Sequence, residues 1–295
     1  MTALARSFVT VDGCRLECEC HGTISTAPRT IVFLHEGLGS ITQWRDFPAA
    51  LCARTGFAGL VYNRRGYGGS DPAEPAALPS GFMDREALEV LPQLLEAFKI
   101  DHPVLLGHSD GGSIALIYAG SAPESPGALI LEAPHVFVEE ITVAQIATLK
   151  ATYSTSQLRT RLARHHGANV DRLFGGWTGV WLSDGFRDWN IEDYLSRISC
   201  PTLVIQGRDD EYATLRQVAA IERGIGPHVK TLLLDDCRHA PHVDQRARTE
   251  GAVVAFLEEL PLQAAPIARP PVPVEVVKAG EDVPEKRRLR DDRST

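Results

Sequence analysis

The sequence has few cysteines, no long apolar run and no excess of positive charge, and each shortage argues against a class of protein. Its six cysteines form no C-x-x-C pair, and Cys18 and Cys20 would point to one face of a strand, so free thiols are predicted and a zinc site is not. No uninterrupted apolar run approaches the roughly 20 residues that span a bilayer. With 38 acidic and 30 basic residues, the net charge of −8 argues against nucleic acid or anionic membrane as a partner.

The N-terminal residues do not resemble a secretory targeting segment. The N-terminal residues MTALARSFVTVDG lack the apolar core of a secretory signal, so a soluble, cytoplasmic protein is expected. The 295 residues, 44% of them hydrophobic, suit one large domain or one domain with an insertion.

Short apolar runs typical of strands alternate with longer runs of helical periodicity. Buried strands are predicted at TIVFLH from Thr30, GLVYN from Gly59, PVLLGH from Pro103 and TLVIQG from Thr202. An Asp-Gly pair within SFVTVDGCRLECEC predicts an N-terminal hairpin. Because apolar strands separated by helices form a parallel sheet covered on both faces, the pattern predicts an α/β fold.

Two helices in the first half of the chain can be placed by their periodicity. One is predicted over ITQWRDFPAALCAR, from Ile41. The other is predicted over DREALEVLPQLLEAFKI, with Asp84 as its N-cap and a kink at Pro92.

The alternation stops in the middle of the chain and again at its end. Residues 1–135 and 200–261 have the strand–helix pattern and are predicted to form one core in two parts. Residues 136–199 are mainly helical and contain three of the four tryptophans, so they are predicted to form a helical cap over one end of the sheet. Residues 262–295 are rich in proline and charge and are predicted to form a mostly disordered tail.

The stretch GHSDG, from Gly107 to Gly111, lies between a predicted strand and a predicted helix. A chain that passes from strand to helix in so few residues must turn sharply at Ser109, and side chains at the two glycines would clash. Such a turn exposes the serine hydroxyl and directs the first N–H groups of the helix towards whatever the serine attacks. The pattern therefore favours Ser109 as a nucleophile.

A serine nucleophile needs a base, and the base needs an acid that holds it. On a parallel sheet these groups come from the ends of later strands. TLVIQGRDDEY supplies carboxylates after one strand, and KTLLLDDCRHAPH supplies histidines after the next. The order serine, acid, histidine at three strand ends favours a catalytic triad.

Taken together, the motifs FLHEGLGS, YNRRGYGGSD, GHSDGG, IQGRDDEY and CRHAPH resemble the landmarks of the α/β-hydrolase superfamily, over residues 5 to 260. The resemblance implies an eight-stranded, mostly parallel sheet with a helical cap. It also implies that Ser109 is the nucleophile, Asp210 the acid and His239 the base. Asp209 and His242 remain the alternatives for the last two roles.

The resemblance further implies an oxyanion hole made of two backbone N–H groups, which such a nucleophile needs. Asp110, directly after the nucleophile, is expected to supply one, and Gly37 matches the usual second donor. Glu36 stands where the family usually has glycine, so its carboxylate is expected to point away or to be paired, and His35 is expected to order the loop.

Several residues are candidates for substrate binding. In amino-acid-ester hydrolases of the superfamily, an aspartate at the position of Asp110 meets the substrate ammonium; the alternative is that Asp110 caps the helix. Glu36 is a second candidate for such an ammonium. The aromatic residues Phe174, Trp177 and Trp181 are candidates for an apolar pocket over Ser109 and equally for the core of the cap.

The sequence therefore predicts a serine hydrolase that cleaves a carboxylic ester of a small to medium, partly apolar substrate, with no cofactor and no metal. The expected partner is a small-molecule substrate, and a homodimer is left open. One alternative is a carbon–carbon bond hydrolase of aromatic ring-cleavage products, which would need a cap arginine for the substrate carboxylate. The other is a non-catalytic ligand-binding protein of the same fold. The arginines of the predicted cap are Arg159, Arg161, Arg164, Arg172 and Arg187.

Overall fold

A single mixed sheet of eight strands forms the centre of the molecule, and the computed structural model describes residues 6–73 and 78–261. The strands are Arg6–Val11 (β1), Cys14–His21 (β2), Thr30–Leu34 (β3), Ala58–Tyr62 (β4), Val104–His108 (β5), Ala128–Glu132 (β6), Thr202–Gly207 (β7) and Val229–Leu234 (β8). Their order in the sheet is β1-β2-β4-β3-β5-β6-β7-β8. The pairs β1–β2 and β2–β4 are antiparallel and the other pairs are parallel, which confirms the predicted α/β fold.

The antiparallel edge begins with the predicted hairpin. Only Asp12 and Gly13 lie between β1 and β2, and both have positive φ angles, of 50° and 68°. A two-residue turn of this kind follows the right-handed twist of the two strands and favours glycine at its second position.

The parallel strands are buried on both faces. Every residue of β3, β4, β5, β6 and β7 is buried. Successive residues of β3 belong to two separate apolar clusters, Val32 and Leu34 to one and Ile31 and Phe33 to the other. Because side chains alternate across a strand, the sheet has a core on each of its faces.

Helices cover both faces of the sheet. Their bounds are Phe47–Thr55 (α1), Phe82–Arg85 (α2), Leu91–Phe98 (α3), Asp110–Ser121 (α4), Glu140–Thr152 (α5), Leu158–His166 (α6), Val170–Trp181 (α7), Glu192–Leu195 (α8), Leu215–Ile225 (α9), Pro241–Asp244 (α10) and Arg246–Glu258 (α11).

The two helices placed from periodicity differ in detail from their predictions. The first is broken at Arg45, whose φ of 56° separates a 3₁₀ turn at Ile41–Trp44 from α1. The second begins at Phe82, so Asp84 lies inside its first turn and is not the N-cap. A π-helical segment at Glu86–Val90 joins α2 to α3. Pro92 is the second residue of α3, in the first turn of a helix, where the missing N–H donor costs little.

Four helices, α5 to α8, lie between β6 and β7, within the segment for which the sequence predicts a cap. No helix within the described ranges combines the length and the apolar character that a membrane span needs. The six cysteines are free and five of them are buried, as expected. The predicted disordered tail, residues 262–295, lies outside the described residues.

The sheet brings the motif-bearing segments to one edge. The register pairs His108 of β5 with Glu132 of β6, and Gly207 of β7 with Leu234 of β8, so these strands end side by side. The segments that follow β3, β5, β7 and β8 therefore meet at the carboxyl edge of the sheet, where ligands bind in open α/β sheets.

Candidate active site

Ser109 forms a sharp turn between β5 and α4. It is the one residue between the end of the strand and the start of the helix, and its backbone has φ 53° and ψ −119°. A Cβ atom added to Gly107 would collide with the backbone of Gly111, and one added to Gly111 would collide with the carbonyl oxygen of Leu34. The two glycines therefore permit a strained turn that holds the serine clear of the sheet.

Ser109, His239 and Asp210 form one hydrogen-bonded chain. The Nε2 atom of His239 lies 2.9 Å from Oγ of Ser109. On the other side of the ring, Nδ1 of His239 lies 2.9 Å from each carboxylate oxygen of Asp210. Because a carboxylate accepts, Nδ1 carries the hydrogen and Nε2 faces the serine hydroxyl as an acceptor. The geometry suits transfer of the serine proton to the imidazole.

The carboxylate of Asp210 is held by three further donors. The backbone N–H groups of Tyr212 and Ala213 donate to Oδ1 at 2.7 and 3.2 Å, and the Nε2 of Gln206 donates to Oδ2 at 2.6 Å. These bonds hold the carboxylate beside the imidazole of His239 and favour its ionised form.

The pKa values of the pair move apart. Burial raises the pKa of Asp210, but the charge of His239 and the hydrogen bonds to the carboxylate outweigh burial and bring that pKa below its usual value. Burial lowers the pKa of His239, but the Asp210 carboxylate outweighs it and the pKa of the imidazole rises. An imidazole held in this way is stabilised when it gains a proton.

The alternative acid and base lie elsewhere. Asp209 is exposed to solvent. His242 is buried, and its Nδ1 lies 2.6 Å from Oε2 of Glu132. The ring of His242 also packs on Trp44, at 4.8 Å between centroids. The structure therefore brings Asp210 and His239 to Ser109, and Asp209 and His242 do not join that chain of bonds.

A small cavity of about 40 Å³ opens beside the Ser109 hydroxyl. Its walls include both residues expected to form the oxyanion hole, Gly37 and Asp110. The indole of Trp177 packs directly on Gly37, where any Cβ atom would collide with it. The remaining lining residues are Glu36, Leu38, His135, Thr142, Ile146, Trp181, Tyr212 and His239.

Of the three aromatic residues proposed for this pocket, Trp177 and Trp181 line it and Phe174 does not. The Phe174 ring stacks on Tyr153 at 3.8 Å between centroids and is buried. On α7, Phe174 and Trp177 are three residues apart, but Tyr153 of the segment after α5 occupies the position beside Phe174, so Phe174 packs within the inserted helices.

Asp110 has an unusual environment for a carboxylate. It is 1% exposed, its Oδ2 accepts a hydrogen bond from Nε1 of Trp177 at 3.1 Å, and its Oδ1 is buried without a partner. Burial raises its pKa to about 6, although Arg64 and the bond from Trp177 act in the opposite direction. Asp110 stands in the first turn of α4, but neither carboxylate oxygen accepts from an N–H group of that helix, because Oδ2 is bonded to Trp177 and Oδ1 has no partner.

Glu36 lines the same cavity as Asp110, and after burial its negative charge also raises the pKa of Asp110. Its backbone carbonyl is tightly held: Nδ1 of His35 donates to it at 2.8 Å and Nη2 of Arg64 donates at 2.6 Å. His35 thus orders the loop, as expected.

None of the five arginines of the predicted cap lines this cavity within the part of the chain that the structure describes. Arg159 pairs with Asp171 and Arg187 with Glu140, both at exposed positions. Arg172 donates to the carbonyl of Ala73. Arg161 and Arg164 are exposed.

Three residues of the site were missed from the sequence. Tyr212 packs on the ring of His239 at 4.6 Å between centroids, and His135 lies against the same ring at 5.7 Å. Burial lowers the pKa of His135 to about 3, so this imidazole is neutral. Its position three residues after β6, at the same sheet edge, was the available signal. No comparable signal was present in the sequence for Arg64. It lies in a turn motif beside Arg65, and nothing in the pattern distinguishes a buried arginine from an exposed one.

Comparison with known proteins agrees with this fold. The profile of the alpha/beta hydrolase fold family matches residues 29–177, just over half of the chain. The chain therefore belongs to the α/β-hydrolase fold family. Its relatives carry the names of hydrolases, and the chain is a hydrolase of this fold.

Two curated relatives and one solved structure illustrate the likeness. RutD of Rhizobium rhizogenes, named as a carbamate hydrolase, is 28% identical over 260 residues, covering 81% of this chain and 96% of RutD. A 2-hydroxy-6-oxononadienedioate/2-hydroxy-6-oxononatrienedioate hydrolase of Cupriavidus pinatubonensis is 27% identical over 278 residues, covering 85% and 94%. The enol-lactonase of Burkholderia xenovorans matches with a TM-score of 0.69 at 20% identity, covering 85% and 100%.

Proposed function

We propose that this hydrolase cleaves a carboxylic ester, or a related acyl bond, through an acyl-enzyme on Ser109. The observation that carries the proposal is the chain of bonds from Ser109 through His239 to Asp210, beside a cavity that can admit a carbonyl group. A serine hydroxyl becomes an effective nucleophile only with a base in this position.

The proposed reaction has two halves. His239 takes the Ser109 proton as Oγ attacks the carbonyl carbon, and the N–H groups of Gly37 and Asp110 stabilise the oxyanion that forms. When the intermediate collapses, the bond to the leaving alcohol breaks and His239 gives that alcohol the proton. Water, deprotonated by His239, then attacks the acyl-enzyme, and the carboxylic acid departs as Ser109 recovers its proton.

The charges around the cavity favour an ester over the carbon–carbon bond hydrolase alternative. Substrates of that alternative are carboxylates, and the walls carry the acidic residues Glu36 and Asp110 with none of the cap arginines. Two like charges close to a substrate carboxylate would oppose its binding.

The same two acids favour a basic group on the substrate. The free Oδ1 of Asp110 is a buried acceptor beside Ser109, and an ammonium group in the cavity would supply the missing donor. We therefore propose an ester with an amine close to the scissile bond. The small cavity and the indoles of Trp177 and Trp181 limit the acyl part to a compact, partly apolar group.

The test is a fluorophosphonate probe with mass spectrometry, followed by an activity screen. The full chain is expected to carry one adduct on Ser109 and to hydrolyse aryl esters faster than amides, lactones, carbamates or dienoates. Ser109→Ala should lose both adduct and turnover, whereas Ser121→Ala, exposed at the other end of the same helix, should keep both. An adduct-free, inactive wild type would support the ligand-binding alternative, and faster dienoate cleavage would support the carbon–carbon alternative.

A further inference from the structure

Arg64 is a buried cation beside the proposed oxyanion site. It lies two residues beyond β4, is 4% exposed, and its guanidinium packs on the Tyr67 ring at 4.7 Å. Within the described residues, no carboxylate oxygen lies within 4.0 Å of its guanidinium. Burying a charge without a direct ion pair is costly. The charge of Arg64 favours the ionised form of Asp110, and its direct hydrogen bonds show which groups it holds in place.

Those bonds all go to the loop after β3. The Nη2 atom donates to the carbonyl oxygen of Glu36 at 2.6 Å, and Nε lies 3.4 Å from Nε2 of His35. The same carbonyl also accepts from Nδ1 of His35 at 2.8 Å and from the backbone N–H of Gly39 at 3.1 Å. Since a carbonyl only accepts, Nδ1 of His35 carries the hydrogen. Nε2 of His35 then accepts from Arg64, from its backbone N–H at 3.2 Å and from its Nε at 3.4 Å.

The Glu36 carbonyl and the Gly37 N–H belong to one peptide group. In a planar trans peptide the two point in opposite directions, so the donors that hold the carbonyl direct the N–H away from Arg64. The next peptide is held in the same manner, because the Tyr67 hydroxyl donates to the Gly37 carbonyl at 2.9 Å. Gly37 and Leu38, whose N–H groups face away from Arg64 and Tyr67, both line the cavity with Ser109.

We infer that Arg64 is a positioning residue of the active site, which orients and polarises the Glu36–Gly37 peptide so that the Gly37 N–H becomes a stronger donor to the oxyanion. This inference rests on the proposed function. A cationic donor on the carbonyl withdraws electron density from the peptide, and hydrogen bonds in series strengthen one another. The stronger donor gains most when negative charge develops on the substrate oxygen, so it stabilises the transition state more than the bound substrate.

The test compares Arg64→Met, Arg64→Gln and Arg64→Lys with the matched control Arg65→Met. Arg65 is the neighbouring arginine, and its Nε lies 3.4 Å from the Pro72 carbonyl, away from this loop. With p-nitrophenyl butyrate, Arg64→Met should lower kcat by about 10- to 100-fold with little change in KM, because loss of a whole oxyanion donor costs about 10²- to 10³-fold. Arg64→Lys should recover part of the rate, and Arg65→Met should match the wild type.

A second readout separates this role from a structural one. An aryl trifluoromethyl ketone forms a hemiketal with Ser109, and the pKa of its oxygen, followed by ¹³C NMR of the labelled carbonyl carbon, reports how well the site stabilises an oxyanion. Arg64→Met should raise that pKa and Arg65→Met should not. If Arg64→Met does not fold, Arg64→Gln, which keeps a neutral donor, replaces it. Its kcat and the pKa of its hemiketal oxygen then test the inference.

The experiment distinguishes failure of the inference about Arg64 from failure of the proposed function. A wild type that neither hydrolyses the ester nor forms the hemiketal refutes the proposed function itself. An active wild type overturns the inference if the neutral Arg64 variant keeps its kcat per titrated active site and its hemiketal pKa.

Discussion

The indole Nε1 of Trp177 lies 3.1 Å from Oδ2 of Asp110 and so joins an inserted helix to the residue directly after Ser109. This contact holds one oxygen of the carboxylate, while the other, Oδ1, is buried without a hydrogen-bond partner. The position of the indole against Gly37 links the same inserted helix to the loop after β3. The inserted helices therefore form part of the active site wall.

Asp110→Asn should reduce selectivity for a substrate that carries an ammonium group. The amide keeps the shape of the side chain and can still accept from Trp177, but it loses the charge. We expect the ratio of kcat/KM for glycine p-nitrophenyl ester to that for its N-acetyl derivative to fall by about 10- to 100-fold, since a hydrogen bond to a charged group contributes about 1.5–3 kcal/mol. An unchanged ratio would exclude Asp110 as the ammonium site.

Asp210→Asn should slow the reaction far more than Asp209→Asn, its neighbour and matched control. The amide can present N–H to Nδ1 of His239 and so disfavours the tautomer that accepts the serine proton. We expect kcat to fall by about 10²- to 10⁴-fold, the larger value being that for the equivalent change in a serine protease. Steady-state kinetics with a neutral aryl ester measure both variants, and a larger loss in Asp209→Asn would reverse the assignment.

The pH dependence of kcat/KM for a neutral ester should show an acid limb set by His239. The Asp210 carboxylate outweighs burial and raises the pKa of this imidazole. Only the neutral ring accepts a proton, so the rate should rise with pH and reach half its maximum above the usual histidine value of about 6.5. Asp210→Asn should move that midpoint to lower pH. A midpoint below the usual value in the wild type would contradict the arrangement.

His242→Ala should affect stability rather than chemistry. Glu132 is 0% exposed and its Oε2 is bonded to His242 at 2.6 Å, so the alanine leaves a buried carboxylate without its main donor. Breaking a buried pair costs about 3–5 kcal/mol, and the free energy of unfolding in urea should fall by about that amount. His242→Asn, which keeps a donor, should lose less. Loss of turnover in the folded His242→Ala protein would mean that His242 takes part in the reaction.

The positions of the strands and motifs along the chain could be predicted from the sequence because each depends on local chemistry. Ser109, Asp210 and His239 follow apolar strands, and parallel strands end at one edge, so their meeting follows from the fold. The glycines of the turn were predictable for the same reason, since the backbone leaves no room for side chains there.

Contacts between distant helices could not be read in this way. Phe174 and Trp177 are three residues apart on one helix and are both aromatic, so the sequence does not distinguish them. In the structure Trp177 lines the cavity, whereas Phe174 stacks on Tyr153. The N-cap role of Asp84 failed because Phe82 and Met83, both buried, extend the helix in front of it. The role inferred for Arg64 depends on a loop that is 28 residues away in the chain.

The most direct test of the account is the site of fluorophosphonate labelling. Intact-mass and peptide analysis of the labelled full chain should find one adduct, on Ser109, with its formation rate reduced in His239→Ala and abolished in Ser109→Ala. Labelling of another residue, or a wild type that stays unlabelled while fully folded, would contradict the central claim that His239 activates Ser109 as a nucleophile.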